Sequence, residues 1–223
     1  MKNLLTYLFA AFLAIGTTCT AFGQEGPALR VQNPPLNMEM LVGSRGLSYQ
    51  MIVNKKFQSV PRLGFFSVMN FQTDWKSSEM KDYMMQGNLT FEIIKGLDIS
   101  SGFIWVPFQG IRPSAGIMYT YANPTWLVVA NPRIDLTKDT NGEVLALAEY
   151  KPQLNEKLKL YTRLQGLYTQ NVSNDYHARS YIMARAGVTL GDVTFGVGAN
   201  FDFYGPQKIT DKNIGGFVQV SLF

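Results

Sequence analysis

The chain has little cysteine, little histidine, little charge and no second long apolar run. Its one cysteine, Cys19, excludes an intramolecular disulfide. Its one histidine, His177, excludes a multi-histidine zinc site, and there is no HExxH, EF-hand loop or Cys/His cluster. No metal or cofactor is therefore expected. Charged residues make up 16% of the chain, against about 25% in soluble domains. That scarcity counts against a soluble sandwich, which needs Lys- and Glu-rich outer faces. The formal net charge is +4, but the basic residues are scattered, with no run beyond Lys55-Lys56, so nucleic-acid binding is not expected.

The one apolar run opens the chain. Lys2 supplies a positive start, Leu4 to Ile15 the apolar stretch, and Ala21-Phe22-Gly23 a small-x-small cleavage site. About twelve apolar residues are too few to span a bilayer. Residues 1–23 are thus expected to be a cleavable signal peptide, whose removal takes Cys19 with it. A lipoprotein is the weaker alternative, because no leucine-like residue stands three positions before Cys19. Residues 24–35, with Pro27, Pro34 and Pro35, form a periplasmic lead-in.

What remains alternates. In Val193–Phe203 every odd position is apolar and every even one small or polar, the period of a strand with two different faces. Over 36–223 the same rhythm marks about twelve strand-like segments, most near the length of a tilted membrane strand. Their polar faces carry Gly, Ser, Thr, Asn and Gln, as a sheltered lumen would. The reading is an all-β, antiparallel, up-and-down transmembrane barrel of about twelve strands, with ten if 36–43 is not a strand of its own. Counted back from the C-terminus, longer connections (205–213, 170–179, 137–143, 107–113, 76–81) alternate with short ones. With the C-terminus periplasmic, the long ones fall outside.

Parity sorts the faces. Phe65, Leu89, Phe91, Ile99, Phe103, Ile134, Leu164, Ile182 and Leu190 are expected to face lipid. Trp75 and Trp105 fall at outer ends and Trp126 at a periplasmic end, as an aromatic girdle would. The opposite parity carries Arg133, Glu149, Lys159, Arg163, Arg185 and Asp202, the expected lumen-lining residues.

The last strand, Ile214-Gly-Gly-Phe-Val-Gln-Val-Ser-Leu-Phe223, resembles that of small Gram-negative outer-membrane β-barrel proteins. The likeness is one of architecture and covers about 36–223. It implies an outer-membrane location and recognition of the terminal Phe223 by the barrel-assembly machinery. The parity of Phe223 departs from the apolar series of Ile214, Val218, Val220 and Leu222, so the last residue is offset or the strand bulged.

Enzymatic barrels use a His beside a nucleophile. Here His177 falls in an expected external loop, and Ser180, an odd number of residues away, would lie on the opposite face of a strand. No catalytic residue, and no enzyme, is expected. The lumen is more informative. Pairing through 153–157 sets Glu149 near Lys159, and pairing through 170–179 brings Arg163 roughly opposite Arg185. Either Glu149 or Glu92 neutralises the arginines in a polar plug, or they form an anion-attracting constriction. The first functional reading is porin-like passage or binding of small polar solutes, anions among them. The alternatives are a structural or adhesive barrel with a filled lumen and, more distantly, a lipid-modifying enzyme. The expected partners are outer-membrane lipid and lipopolysaccharide, around a monomer.

Overall fold

The structure is a computed structural model that describes residues 31–107 and 109–223, with the side chains of 78–81 outside the description. The expected signal peptide, 1–23, and residues 24–30 of the lead-in lie outside the described residues.

The two-residue alternation becomes twelve antiparallel strands. They are β1 (Leu36–Gly43), β2 (Leu47–Lys56), β3 (Leu63–Asp74), β4 (Ser77–Ile94), β5 (Leu97–Val106) and β6 (Gly110–Ala122), followed by β7 (Trp126–Asp135), β8 (Asn141–Tyr150), β9 (Leu158–Asn171), β10 (Tyr176–Leu190), β11 (Val193–Tyr204) and β12 (Ile209–Leu222). Each pairs with its sequence neighbours, and β12 returns to pair with β1, so the sheet closes into a barrel. Closure satisfies the backbone groups that an open sheet leaves at its two edges. It depends on β1, the strand whose separate existence the sequence left open. β1 pairs along its whole length, from Leu36 opposite Leu222 to Gly43 opposite Gly215. Ten strands are thereby set aside.

Large apolar residues stand exposed on the outside, among them Phe65, Leu89, Phe91, Ile99, Phe103, Ile134, Leu164, Ile182 and Leu190. Asn88, Asn131, Arg133, Gln165, Asn200 and Asp202 are buried inside. An apolar exterior around an interior that holds most of the buried polar and charged groups, beside apolar clusters such as Phe66, Val68 and Met118, inverts the water-soluble arrangement and suits a barrel in hydrocarbon.

The strands are longer than the sequence suggested at one end. Both ends of the barrel sheet, Leu36 and Leu222, lie together at one end of the barrel, the terminal end. At the opposite, far end the connections are only 44–46, 75–76, 107–109, 136–140, 172–175 and 205–208. The segments read as long external loops are mostly strand. The longest connection, 151–157, is at the terminal end instead. The apolar pattern fades toward the far end, but ladder hydrogen bonds and inward ion pairs carry the sheet past that point. A fading apolar face was legible as a loop, although the backbone still pairs.

At the terminal end the two-residue turns Lys95-Gly96 and Gly191-Asp192 hold glycines at φ +81° and +59°, where a side chain is strained. At Gly96 a Cβ would also sit 2.6 Å from the Thr120 carbonyl oxygen.

Candidate functional site

Inward-facing residues of three strands build the centre of the lumen. The β9–β10 register sets Arg163 directly opposite Arg185. Glu39 reaches them from β1, which is separated from β10 by β12 and β11. Its Oε2 accepts from Arg163 Nη2 at 2.6 Å and its Oε1 from Arg185 Nε at 2.9 Å. All three residues are buried. Two facing guanidinium groups repel strongly where the dielectric is low, and a carboxylate that takes both offsets that repulsion and part of the desolvation cost. Gly198 makes room for the arrangement. A Cβ there would lie 2.8 Å from Arg185 Cδ and 2.7 Å from Leu41 Cδ1. Without one, Arg185 lies against the wall and donates Nη1 to the carbonyls of Ala184 at 2.9 Å and Ala199 at 3.2 Å.

Two expected partnerships are corrected. Glu149 is not the counter-ion of the arginines: its Oε2 accepts from Lys151 Nζ at 2.7 Å and its Oε1 from the Tyr161 hydroxyl at 3.0 Å. Glu92 is held by Lys56. Nor does Glu149 meet Lys159. The β8–β9 register puts Glu149 opposite Arg163, while Lys159 bridges to Gln153 beyond the end of β8. The cause is the position of the turn: the Gln153–Lys159 bridge continues the β8–β9 register, so the chain reverses around Glu156 and Lys159 falls opposite Gln153.

Most of the other inward charges are also paired, although the buried Asp98 keeps an Oδ1 with no hydrogen-bond partner among the described residues. Arg133 binds Glu143, whose other oxygen accepts from Thr169 Oγ1 at 2.9 Å. Asp202 accepts from Arg179 Nη2 at 2.9 Å, and Arg179 also donates Nη1 to Asp82 at 2.9 Å. Arg112 Nε meets Asp135 at 2.6 Å. The structure thus buries Arg133, Glu149, Arg163, Arg185 and Asp202 inside the barrel, whereas Lys159 shares their parity but is exposed at the terminal end of β9. Sequence reasoning missed Glu39, Asp82, Arg112, Glu143 and Arg179. Glu39 had a signal: it is the lone charge in the apolar segment Leu36–Gly43, at inward parity.

Space in the lumen is uneven. Between Glu39, Asp82, Arg179 and Asp202, in the far half, the void is only about 20 Å³. In the terminal half a cavity of about 590 Å³ opens between β2, β3, β7 and β8.

The tryptophans divide between the two ends. Trp75 lies in the β3–β4 connection and donates Nε1 to the Gly43 carbonyl at 2.9 Å. Trp105, near the far end of β5, meets Tyr83 edge-on at 4.9 Å, and Trp126, at the terminal end of β7, stacks obliquely on Tyr150 at 4.5 Å. Phe223 stands past the last residue of β12, 93% exposed, its carbonyl accepting from Lys55 Nζ at 2.9 Å. Its offset parity therefore comes from leaving the strand, not from a bulge within it.

His177 is not a solvated loop residue. It belongs to β10, is 8% exposed, and its Nδ1 lies 2.7 Å from the Gly205 carbonyl. A register shift between His177 and Arg179 puts His177 and Ser180 on one face, with Nε2 3.0 Å from Ser180 Oγ. The bulge reverses the parity expected from an unbroken strand. The nearby Asp175 is not a partner of the imidazole in this arrangement; it accepts from Gln170 Nε2 at 2.9 Å. Among the described residues no group of His, Cys, Asp or Glu is arranged to hold a metal ion.

No protein-family model matches the sequence, and no curated protein sequence matches it. Among solved structures, the NanC porin superposes with a TM-score of 0.48 at 14% identity, covering 84% of this chain and 99% of that one. The outer membrane protein OpdK of Pseudomonas aeruginosa superposes with a TM-score of 0.38 at 9% identity, covering 75% and 64%. OmpT, an outer membrane protein of Vibrio cholerae, gives 0.36 at 7% identity, covering 88% and 100%. At these identities the likeness is one of general form. By its own strand order and closure, the chain has the architecture of small outer-membrane β-barrel proteins, a closed antiparallel barrel of twelve strands.

Proposed function

We propose that the protein is a porin-like barrel of the bacterial outer membrane that admits small polar solutes slowly, past a constriction made by Glu39, Arg163 and Arg185. The location rests on the exposed apolar exterior and on the export signal and terminal strand of the sequence. In that setting the terminal end faces the periplasm and the far end the outside. The observation that carries the reading is the ion-paired bridge from β1 to β9 and β10 through the lumen. Two arginines on one carboxylate leave the constriction with a local positive charge, which favours anions among the solutes that reach it.

The second reading, a structural barrel with a filled lumen, draws on the void of about 20 Å³ in the far half. Single-channel recording in planar bilayers separates the two. A small, reproducible conductance that rises in the Arg163→Gln/Arg185→Gln double variant supports the constricted pore. Silence in both proteins, each shown to be folded, supports the filled barrel.

A further inference from the structure

The terminal half of the lumen differs in chemistry from the rest. Its cavity of about 590 Å³ falls within the range of about 300–1,000 Å³ of pockets that hold small organic molecules. Ile52, Phe66, Val68, Val129, Leu145 and Leu147 line it. Phe66 and Val68 belong to a buried apolar cluster that continues through Met84, Ile104 and Met118. A space so lined holds water poorly.

The charged lining groups are already engaged: Lys56 is paired with Glu92, and Glu149 with Lys151. What the lining offers at the terminal end is neutral, namely Asn33, Asn37, Asn54 and Asn123. Asn33 is fixed there by a double hydrogen bond to the Lys56 backbone, at 2.6 and 3.0 Å. Gln165 also lines the cavity. Its Nε2 donates to the Tyr181 hydroxyl at 2.9 Å, and its Oε1 is buried with no partner among the described residues.

We infer that this cavity binds an uncharged, largely apolar molecule carrying a hydrogen-bond donor, which enters from the terminal end. The apolar body lies against the aliphatic walls, and the neutral polar groups of the lining replace its lost contacts with water. A charged ligand would leave its charge without a counter-ion in a desolvated space. This goes beyond the passage of polar solutes and does not depend on it.

The test is a titration of the folded barrel, held in amphipol, with the uncharged dye N-phenyl-1-naphthylamine, whose fluorescence rises in apolar surroundings. The expected result is saturation at one dye per barrel. Val68→Trp, which fills the cavity, should weaken binding at least about tenfold, and Val197→Trp, on the outer face, should leave it unchanged. If Val68→Trp fails to fold, Val129→Phe takes its place. The anionic analogue 8-anilinonaphthalene-1-sulfonate should bind at least about tenfold more weakly than the neutral dye. A signal that never saturates, or one equal in the cavity-filled and outer-face variants, overturns the site. Equal affinity for the two dyes overturns its preference for an uncharged ligand. Conductance is not read, so a failure of the pore reading is seen separately.

Discussion

Arg163 and Arg185 stand opposite each other on neighbouring strands, and the carboxylate that holds both comes from β1, across the lumen. The three side chains form one electrostatic unit, and it ties the first strand of the barrel to the ninth and tenth. Its removal in part should cost more than its removal as a whole. Glu39→Gln leaves two buried guanidinium groups without a carboxylate and is expected to destabilise the barrel by about 3–5 kcal/mol. Replacing all three with Met is expected to recover much of that loss. Urea midpoints of the detergent-folded proteins check it, and a triple variant weaker than Glu39→Gln would refute the cooperative unit.

The outer face is tested by charge. Val197 is 66% exposed on β11, and Val197→Arg is expected to cost about 2–4 kcal/mol in a bilayer. The neighbouring inward Gly198 offers no refuge, because a Cβ there already crowds Arg185 and Leu41. Gly198→Ala should therefore disturb the central ion pairs. Thr189 faces inward beside an open pocket with Lys159 and Gly191, and Thr189→Arg should cost under about 1 kcal/mol. Folding titrations into lipid vesicles rank the three, and a Thr189→Arg cost equal to that of Val197→Arg would argue against one lipid-facing parity.

His177 pins the β10 bulge to the β11–β12 connection through the Gly205 carbonyl and to Ser180. His177→Ala is expected to cost about 1–2 kcal/mol, as the loss of buried hydrogen bonds does. It should speed amide exchange around 176–180 and 205–208. Neither His177→Ala nor Ser180→Ala should change the rate of p-nitrophenyl butyrate hydrolysis by the protein. A rate above buffer that both substitutions abolish would restore the enzymatic alternative.

Closure by β1 and β12 gives a simple physical signature. The exported protein is expected in the outer-membrane fraction, beginning near Gln24, and to migrate faster on gels before boiling than after. Retention of Met1, or recovery as a soluble periplasmic protein, would contradict it.

Much of this fold was legible because a barrel strand repeats every two residues, and that period sorts faces without knowledge of register. Arg133, Arg163, Arg185 and Asp202 were placed by parity alone. Partnerships were less legible, because they depend on register and on groups far apart in sequence. A slip of four positions separated Glu149 from Lys159 and put it opposite Arg163. Glu39 lies 124 residues from Arg163, and no local pattern links them. The far-end extensions of the strands were missed because their apolar face fades while their backbone ladder continues. His177 and Ser180 were assigned to opposite faces because a bulge leaves no mark in residue parity.

The most direct measurement is the reversal potential of single barrels in a planar bilayer under a potassium chloride gradient. A constriction with two arginines on one carboxylate should give the wild type a modest anion preference. Glu39→Gln should strengthen that preference, and Arg163→Gln/Arg185→Gln should abolish or reverse it, with all three proteins heat-modifiable on gels. A reversal potential that is the same in the three proteins, or a wild type that prefers cations, would contradict a lumen controlled by Glu39, Arg163 and Arg185.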